Sequence, residues 1–238
     1  MITTVFFDFY GTLVKWSPAA EEIQREAALA EGLVVDTRAI GQAYPTANAL
    51  LDQENARSPI ATWSQEKRDS FFTEYERTLL ATAGYDVEPD LAQQIWERVR
   101  STPKQLALFD DVEPALKELK GAGLKLGVIS NMNQDMGMQL AQVGLADYLS
   151  TWVSSAEVGM TKPHAAIFQE GLARAGATAD QAAHVGDGYD SDVGGARNAG
   201  LLGVLVWRDR DAAPPGDCPT VTSLTGVLAY LRETQQIL

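Results

Sequence analysis

The chain is poor in soft metal ligands: one cysteine, Cys218, and two histidines, His164 and His184, among 238 residues. An internal disulfide and a cysteine metal cluster are both excluded, and a reducing cytoplasm is the expected location. Long apolar runs are missing too. Nothing approaches the roughly 18 apolar residues of a membrane span, and the early V-F-F run lacks a basic leader, so it reads as a strand and not a signal peptide. Basic charge is scarce: 19 Lys and Arg stand against 32 Asp and Glu, a net of −13 with no basic run. That balance argues against nucleic acid or an anionic membrane surface as partner. Repeats and low-complexity tracts are absent. What remains is 45% apolar and 21% charged, the profile of a globular chain long enough for one α/β domain carrying a smaller insert.

Short apolar runs that suit buried parallel strands fall at residues 4–8, 124–130, 151–155, 183–187 and 202–207. Helical patterns lie between the later ones. Residues 113–120 open with Pro114 in the first turn and stop at Gly121 and Gly123, and residues 165–175 place Ile167, Phe168 and Leu172 on one face before Gly176. Alternation of this kind predicts βαβ units and a doubly wound, Rossmann-like parallel sheet, with ligands beyond the carboxyl ends of the strands.

Residues 17–102 read differently. Ser17-Pro18 starts a helix with Ile23, Ala27 and Ala30 as its apolar stripe; Asp36 caps a second, which Pro45 should kink or split. Phe71, Tyr75 and Leu79 mark a third, and Leu91, Ile95 and Val99 a fourth. The expected organisation is an α/β core over 1–16 and 103–238, with a helical domain inserted at 17–102.

Polar residues gather where the predicted strands end. Asp8 ends the first, Ser130-Asn131 the second, Lys162 follows the third in G-M-T-K-P, and Asp187 ends the fourth in G-D-G-Y-D-S-D. In a doubly wound sheet these places share one rim.

In that order, D-F-Y-G-T-L, V-I-S-N, K-P and G-D-G-Y-D-S-D-V-G-G-A resemble the four motifs of the haloacid dehalogenase superfamily, and the helical insert resembles its helical cap. The resemblance implies a hydrolase in which Asp8 is the nucleophile of a covalent aspartyl intermediate. Ser130 and Lys162 then bind the transferred group, with Thr12 and Asn131 beside them. In the superfamily's phosphatases a magnesium ion is held by the nucleophile, the backbone carbonyl two residues on, and the fourth-motif aspartate. These positions are Asp8, Tyr10 and Asp187 here, with Asp192 behind them.

Tyr10 departs from the phosphatase pattern, where an aspartate protonates the leaving alkoxide. An aromatic there is typical of the 2-haloacid dehalogenases, since halide needs no proton to leave. The fourth motif points the other way, because the dehalogenases resemble S-S-N-x-x-D there and work without metal. Two carboxylates about 4 Å apart repel by roughly 4 kcal/mol at an effective dielectric near 20. A metal-free Asp8/Asp187 pair would therefore repel an anionic substrate, whereas magnesium turns the cluster into hard oxygen ligation suited to phosphate. Loss of general acid help costs about 10²–10⁴-fold without abolishing phosphoryl transfer, which rests mainly on positioning and electrostatics. The favoured reading is a magnesium-dependent phosphatase of a small phosphorylated metabolite. The alternatives are a metal-independent 2-haloacid dehalogenase and a non-catalytic binding protein of the same fold.

Other residues carry plainer expectations. His184 reads as a buried, hydrogen-bonded core residue, His164 as a helix cap, and Asp190 as a solvated loop residue. Lys162 is expected to pair with Asp8 or Asp187 and lower their pKa. Trp16, Tyr44, Trp63, Phe71 and Phe72 read as packing of the insert. None of Arg25, Arg38, Arg57 and Arg68 aligns with a halide-binding arginine, which weighs against dehalogenation.

Overall fold

The structure is a computed structural model that describes residues 1–132, 134–208, 213–234 and 236–237 (backbone only at 61). The elements run β1 (Thr4–Phe7), β2 (Val14–Ser17), α1 (Ala20–Ala30), α2 (Thr37–Arg57), α3 (Gln65–Thr82), α4 (Pro89–Ser101) and β3 (Gln105–Leu108). They continue α5 (Val112–Gly121), β4 (Lys125–Ser130), α6 (Met136–Gln142), β5 (Thr151–Ser154), α7 (Ser155–Val158), α8 (Ala165–Ala175), β6 (Ala182–Gly186), α9 (Gly195–Asn198), β7 (Leu202–Val206), β8 (Thr220–Val221) and α10 (Thr225–Glu233). The chain forms two compact units, one of Met1–Lys15 with Ala107–Leu238 and the other of Trp16–Leu106.

In the first unit six parallel strands are ordered β5-β4-β1-β6-β7-β8. The strands at its centre are mostly apolar, as burial on both faces demands: β1 and β6 are buried along their whole length, Thr4 and His184 included. Phe6, Ile129, Val153, Ile167 and Phe168 belong to one apolar cluster of its core. Gly171 lets α8 lie close, since a Cβ there would sit 2.7 Å from the Ile129 side chain. The register pairs Phe7 with Val128 and with Val185, so Asp8, Ser130 and Asp187 all stand one or two residues past paired positions at one edge.

The β2/β3 pair escapes the sequence reading. Its segments, V-K-W-S and Q-L-A-L, are partly exposed and only four residues long, too short to register as strands in the sequence. The first helix of the insert accordingly starts at Ala20, after β2, and not at Ser17-Pro18.

The second unit contains α1 to α4. Asp36 caps α2 as expected, accepting from the Ala39 amide at 2.8 Å. Pro45 does not split that helix, which runs for 21 residues. The proline removes one rung, but Ala43 and Ala47 on either side of it pack with Tyr75 and Leu79 of α3, and the helix continues through it. The buried stripe of α1 is Ile23, Gln24, Ala27 and Ala28, leaving Ala30 exposed. Gln24 is buried because its amide donates to the buried carboxylate of Glu76. Phe71 and Phe72 pack edge to face, Trp63 meets Phe71 likewise, and Phe72 stacks on Trp96 at 4.4 Å. Among the described residues no helix is long and apolar enough to cross a membrane.

Candidate active site

Asp8 leaves the sheet immediately after β1, with its amide still donating to the Val185 carbonyl at 2.9 Å. The chain then turns sharply: the Leu13 and Val14 amides both donate to the Phe9 carbonyl, and the Gly11 amide to the Val14 carbonyl. Gly11 sits at φ +88°, and a Cβ on it would lie 2.7 Å from the Asp187 carboxylate. Only glycine serves both the turn and that approach. Tyr10 projects outward, 37% exposed, leaving its backbone as the part of the residue beside the turn. Thr12 is fully buried, its hydroxyl unpartnered among the described residues.

Lys162 links the motifs. Its ammonium, 2% exposed, donates to Asp8 Oδ1 at 2.5 Å and to Asp192 Oδ1 at 2.6 Å. The second partner is thus Asp192 and not Asp187, the expected alternative to Asp8. The Lys162 backbone is gripped in turn by Asn131: its Nδ2 donates to the Lys162 carbonyl at 3.1 Å, and its Oδ1 accepts from the Lys162 amide at 2.6 Å. Asn131, at the end of β4, therefore commits its carboxamide to holding the lysine. Ser130 beside it is buried at the same edge.

Gly188 begins a wide helical turn over Tyr189–Gly194, its carbonyl accepting from the amides of Asp192 and Val193. This folds Asp192 back under the sheet edge, where Oδ2 accepts from the Gly188 amide at 2.9 Å and Oδ1 meets His184 Nε2 at 2.8 Å. His184 is buried in β6 as expected, edge-on to Phe168, and its other ring nitrogen is unpartnered among the described residues. Its hold on Asp192 is not legible from A-H-V-G-D alone; the eight-residue gap across a glycine-rich turn hides it. Asp190 is exposed. His164 occupies the residue before α8, but its side chain makes no capping hydrogen bond.

Burial governs the charges. Desolvation alone would raise Asp192, but the Lys162 ammonium and the His184 ring overcome it and hold this carboxyl well below the usual range. Desolvation raises Asp8, Lys162 opposes it and Asp192 reinforces it, leaving Asp8 above its ordinary value and not lowered as pairing with a lysine alone implies. Burial would also lower Lys162, but its two carboxylates win and keep it charged. His184 is lowered, first by burial.

One carboxylate oxygen from each of Asp8, Asp187 and Asp192 lies within 4.8 Å of the others. Lys162 brings its positive charge to Asp8 and Asp192 of this group. Hard oxygens in that number, beside a backbone turn that only Gly11 permits, fit magnesium. A divalent cation there would reverse the burial penalty on Asp8.

A family model described as a haloacid dehalogenase-like hydrolase matches residues 2–200. A glyceraldehyde 3-phosphate phosphatase of Methanopyrus kandleri is 30% identical over 224 residues, covering 91% of this chain and 90% of that protein. A phosphoserine phosphatase of Thermus thermophilus is 30% identical over 232 residues, covering 88% and 90%. Among solved structures, a 2-haloacid dehalogenase from Pseudomonas syringae pv. Tomato DC3000 is 28% identical with a TM-score of 0.58, covering 98% of this chain and 100% of that one.

Proposed function

Because the chain belongs to the haloacid dehalogenase-like hydrolases, we propose that it is a magnesium-dependent phosphatase of small phosphorylated metabolites, working in the cytoplasm through an aspartyl-phosphate on Asp8. The observation that carries this reading is the convergence of Asp8, Asp187 and Asp192 on one point, beside the ammonium of Lys162 that pairs with Asp8 and Asp192. The phosphatase names of the two relatives of 30% identity support it. The helical unit is read as a cap domain.

Asp8 and Asp187, with the Tyr10 carbonyl, would hold the ion, which supplies charge neutralisation and polarises phosphoryl oxygens. An Asp8 oxygen attacks phosphorus, the ester oxygen departs with the bonding pair, and water later cleaves the acyl phosphate. Lys162 pairs with the nucleophile and holds the transferred group's charge, with Ser130 and Thr12 as the further groups that bind it. Asn131 keeps Lys162 in place by its backbone, and Asp192 keeps the ammonium aimed at Asp8. Tyr10 has no carboxyl to protonate the leaving oxygen, so substrates with good leaving groups are favoured.

Hydrolysis of p-nitrophenyl phosphate in magnesium should be lost in chelator and in Asp8→Asn. Tyr10, with the dehalogenase likeness, favours the second reading. Release of chloride from 2-chloropropionate in chelator, with no phosphatase activity in magnesium, would establish that one and overturn the first.

A further inference from the structure

Just beyond β7, Arg208 reaches back to the loop that follows the nucleophile. Its Nη2 donates to the Thr12 carbonyl at 3.1 Å and its Nη1 to Asp111 Oδ2 at 2.7 Å. The guanidinium carbon lies 4.3 Å from the centre of the Phe109 ring. The Phe109 amide in turn donates to the Leu13 carbonyl at 3.2 Å. Asp111 Oδ2 also accepts from the Leu224 amide at 2.7 Å, just before α10. Two consecutive carbonyls of the turn, those of Thr12 and Leu13, are therefore fastened to a separate part of the same unit.

Arg208 and Asp111 are mostly buried, with side chains 17% and 16% exposed. Each leaves a buried polar atom, Nε and Oδ1, without a partner among the described residues. A buried ionic cluster that leaves atoms unsatisfied is weak evidence for stability. Its geometry answers a different need: the guanidinium fork divides between a carboxylate and a main-chain carbonyl, which fixes a backbone in space. The backbone so fixed carries Asp8, Tyr10 and Gly11, whose carboxylate, carbonyl and tight turn make up one wall of the site.

We infer that Arg208, anchored on Asp111 and Phe109, is a positioning residue that holds the loop from Asp8 to Val14 in its catalytic shape. The holding itself stands on these contacts, and only its kinetic readout rests on the phosphatase reading.

The test compares Arg208→Met and Arg208→Lys with the parent chain by amide hydrogen exchange and by magnesium-supported p-nitrophenyl phosphate hydrolysis. In Arg208→Met the Leu13 and Val14 amides should exchange about tenfold faster or more, the scale of losing one charge-assisted hydrogen bond, while those of Phe6 and Phe7 stay as they were. kcat should fall by at least about tenfold with KM within roughly twofold, as expected when the reacting geometry and not binding is lost. Lysine holds one partner but not both, so Arg208→Lys should fall between. Unchanged exchange at Leu13 and Val14, or a rise spread equally over β1 and β4, would overturn the inference. If Arg208→Met does not fold, Arg208→Lys decides by the same exchange criterion. A parent chain without phosphatase activity would sink the functional reading alone, because the exchange arm is read without substrate.

Discussion

At the scale of single residues, Tyr10 separates the chemistry that is kept from the chemistry that is lost. Its backbone lies in the turn after Asp8 and the residue is 37% exposed, so on the phosphatase reading a carboxylate introduced there adds the acid that the site lacks. Tyr10→Asp should raise turnover of alkyl phosphates by about tenfold or more while changing p-nitrophenyl phosphate little, since only the poor leaving group needs a proton. Parallel kcat measurements on the two esters check this; equal effects on both would count against the missing-acid argument. The principal residues of the site are legible in the sequence because each stands at the end of an apolar run and the sheet brings those ends together. Their partnerships are not. That Asn131 grips the Lys162 backbone, and that Lys162 takes Asp192 over Asp187, depend on the turn at Gly188 folding Asp192 inward.

At the scale of elements, α1 and α3 are joined by a polar contact inside an apolar interface. Glu76 is wholly buried in α3, with one oxygen accepting from Gln24 and the other unpartnered among the described residues. Desolvation pushes its pKa from 4.5 up to about 8, the Gln24 hydrogen bond opposing it weakly. A carboxyl whose folded pKa is raised stabilises the fold fully below its unfolded value, and that contribution is lost as pH rises through the folded one. Stability should therefore fall between about pH 4.5 and pH 8, by an amount on the order of a few kcal/mol. Glu76→Gln should flatten the profile, with a higher Tm at pH 9 than the parent; thermal melts at pH 6 and pH 9 read it out. The four helices themselves are visible in their periodicity. The α1 stripe differs from its expected residues because a buried glutamine is invisible to a hydrophobic pattern, and Pro45 leaves α2 whole because packing on both sides of it outweighs its local cost. The β2/β3 pair is hidden because four partly exposed residues carry no period.

For the whole molecule, a net charge of −13 confronts the anionic substrate proposed above. The local cluster must win at contact distance while the overall field repels the approaching ester. Added salt screens the long-range part first, the Debye length shrinking from about 30 Å at 0.01 M to about 8 Å at 0.15 M. KM for a dianionic phosphate ester should therefore fall as sodium chloride rises over that range at fixed free magnesium, with kcat nearly constant. Initial-rate kinetics at several salt concentrations test this, and a rising KM would contradict it.

The position of β1 between β4 and β6 has a consequence for how the protein is made. The strand that leads to Asp8 precedes both of its neighbours in the chain, one beginning at Lys125 and the other at Ala182. Until the first of them has been made, T-V-F-F has no strand edge to join, and closure of the sheet must wait for partners far along the chain. An apolar segment left unpaired over that interval is the kind of stretch that chaperones shield.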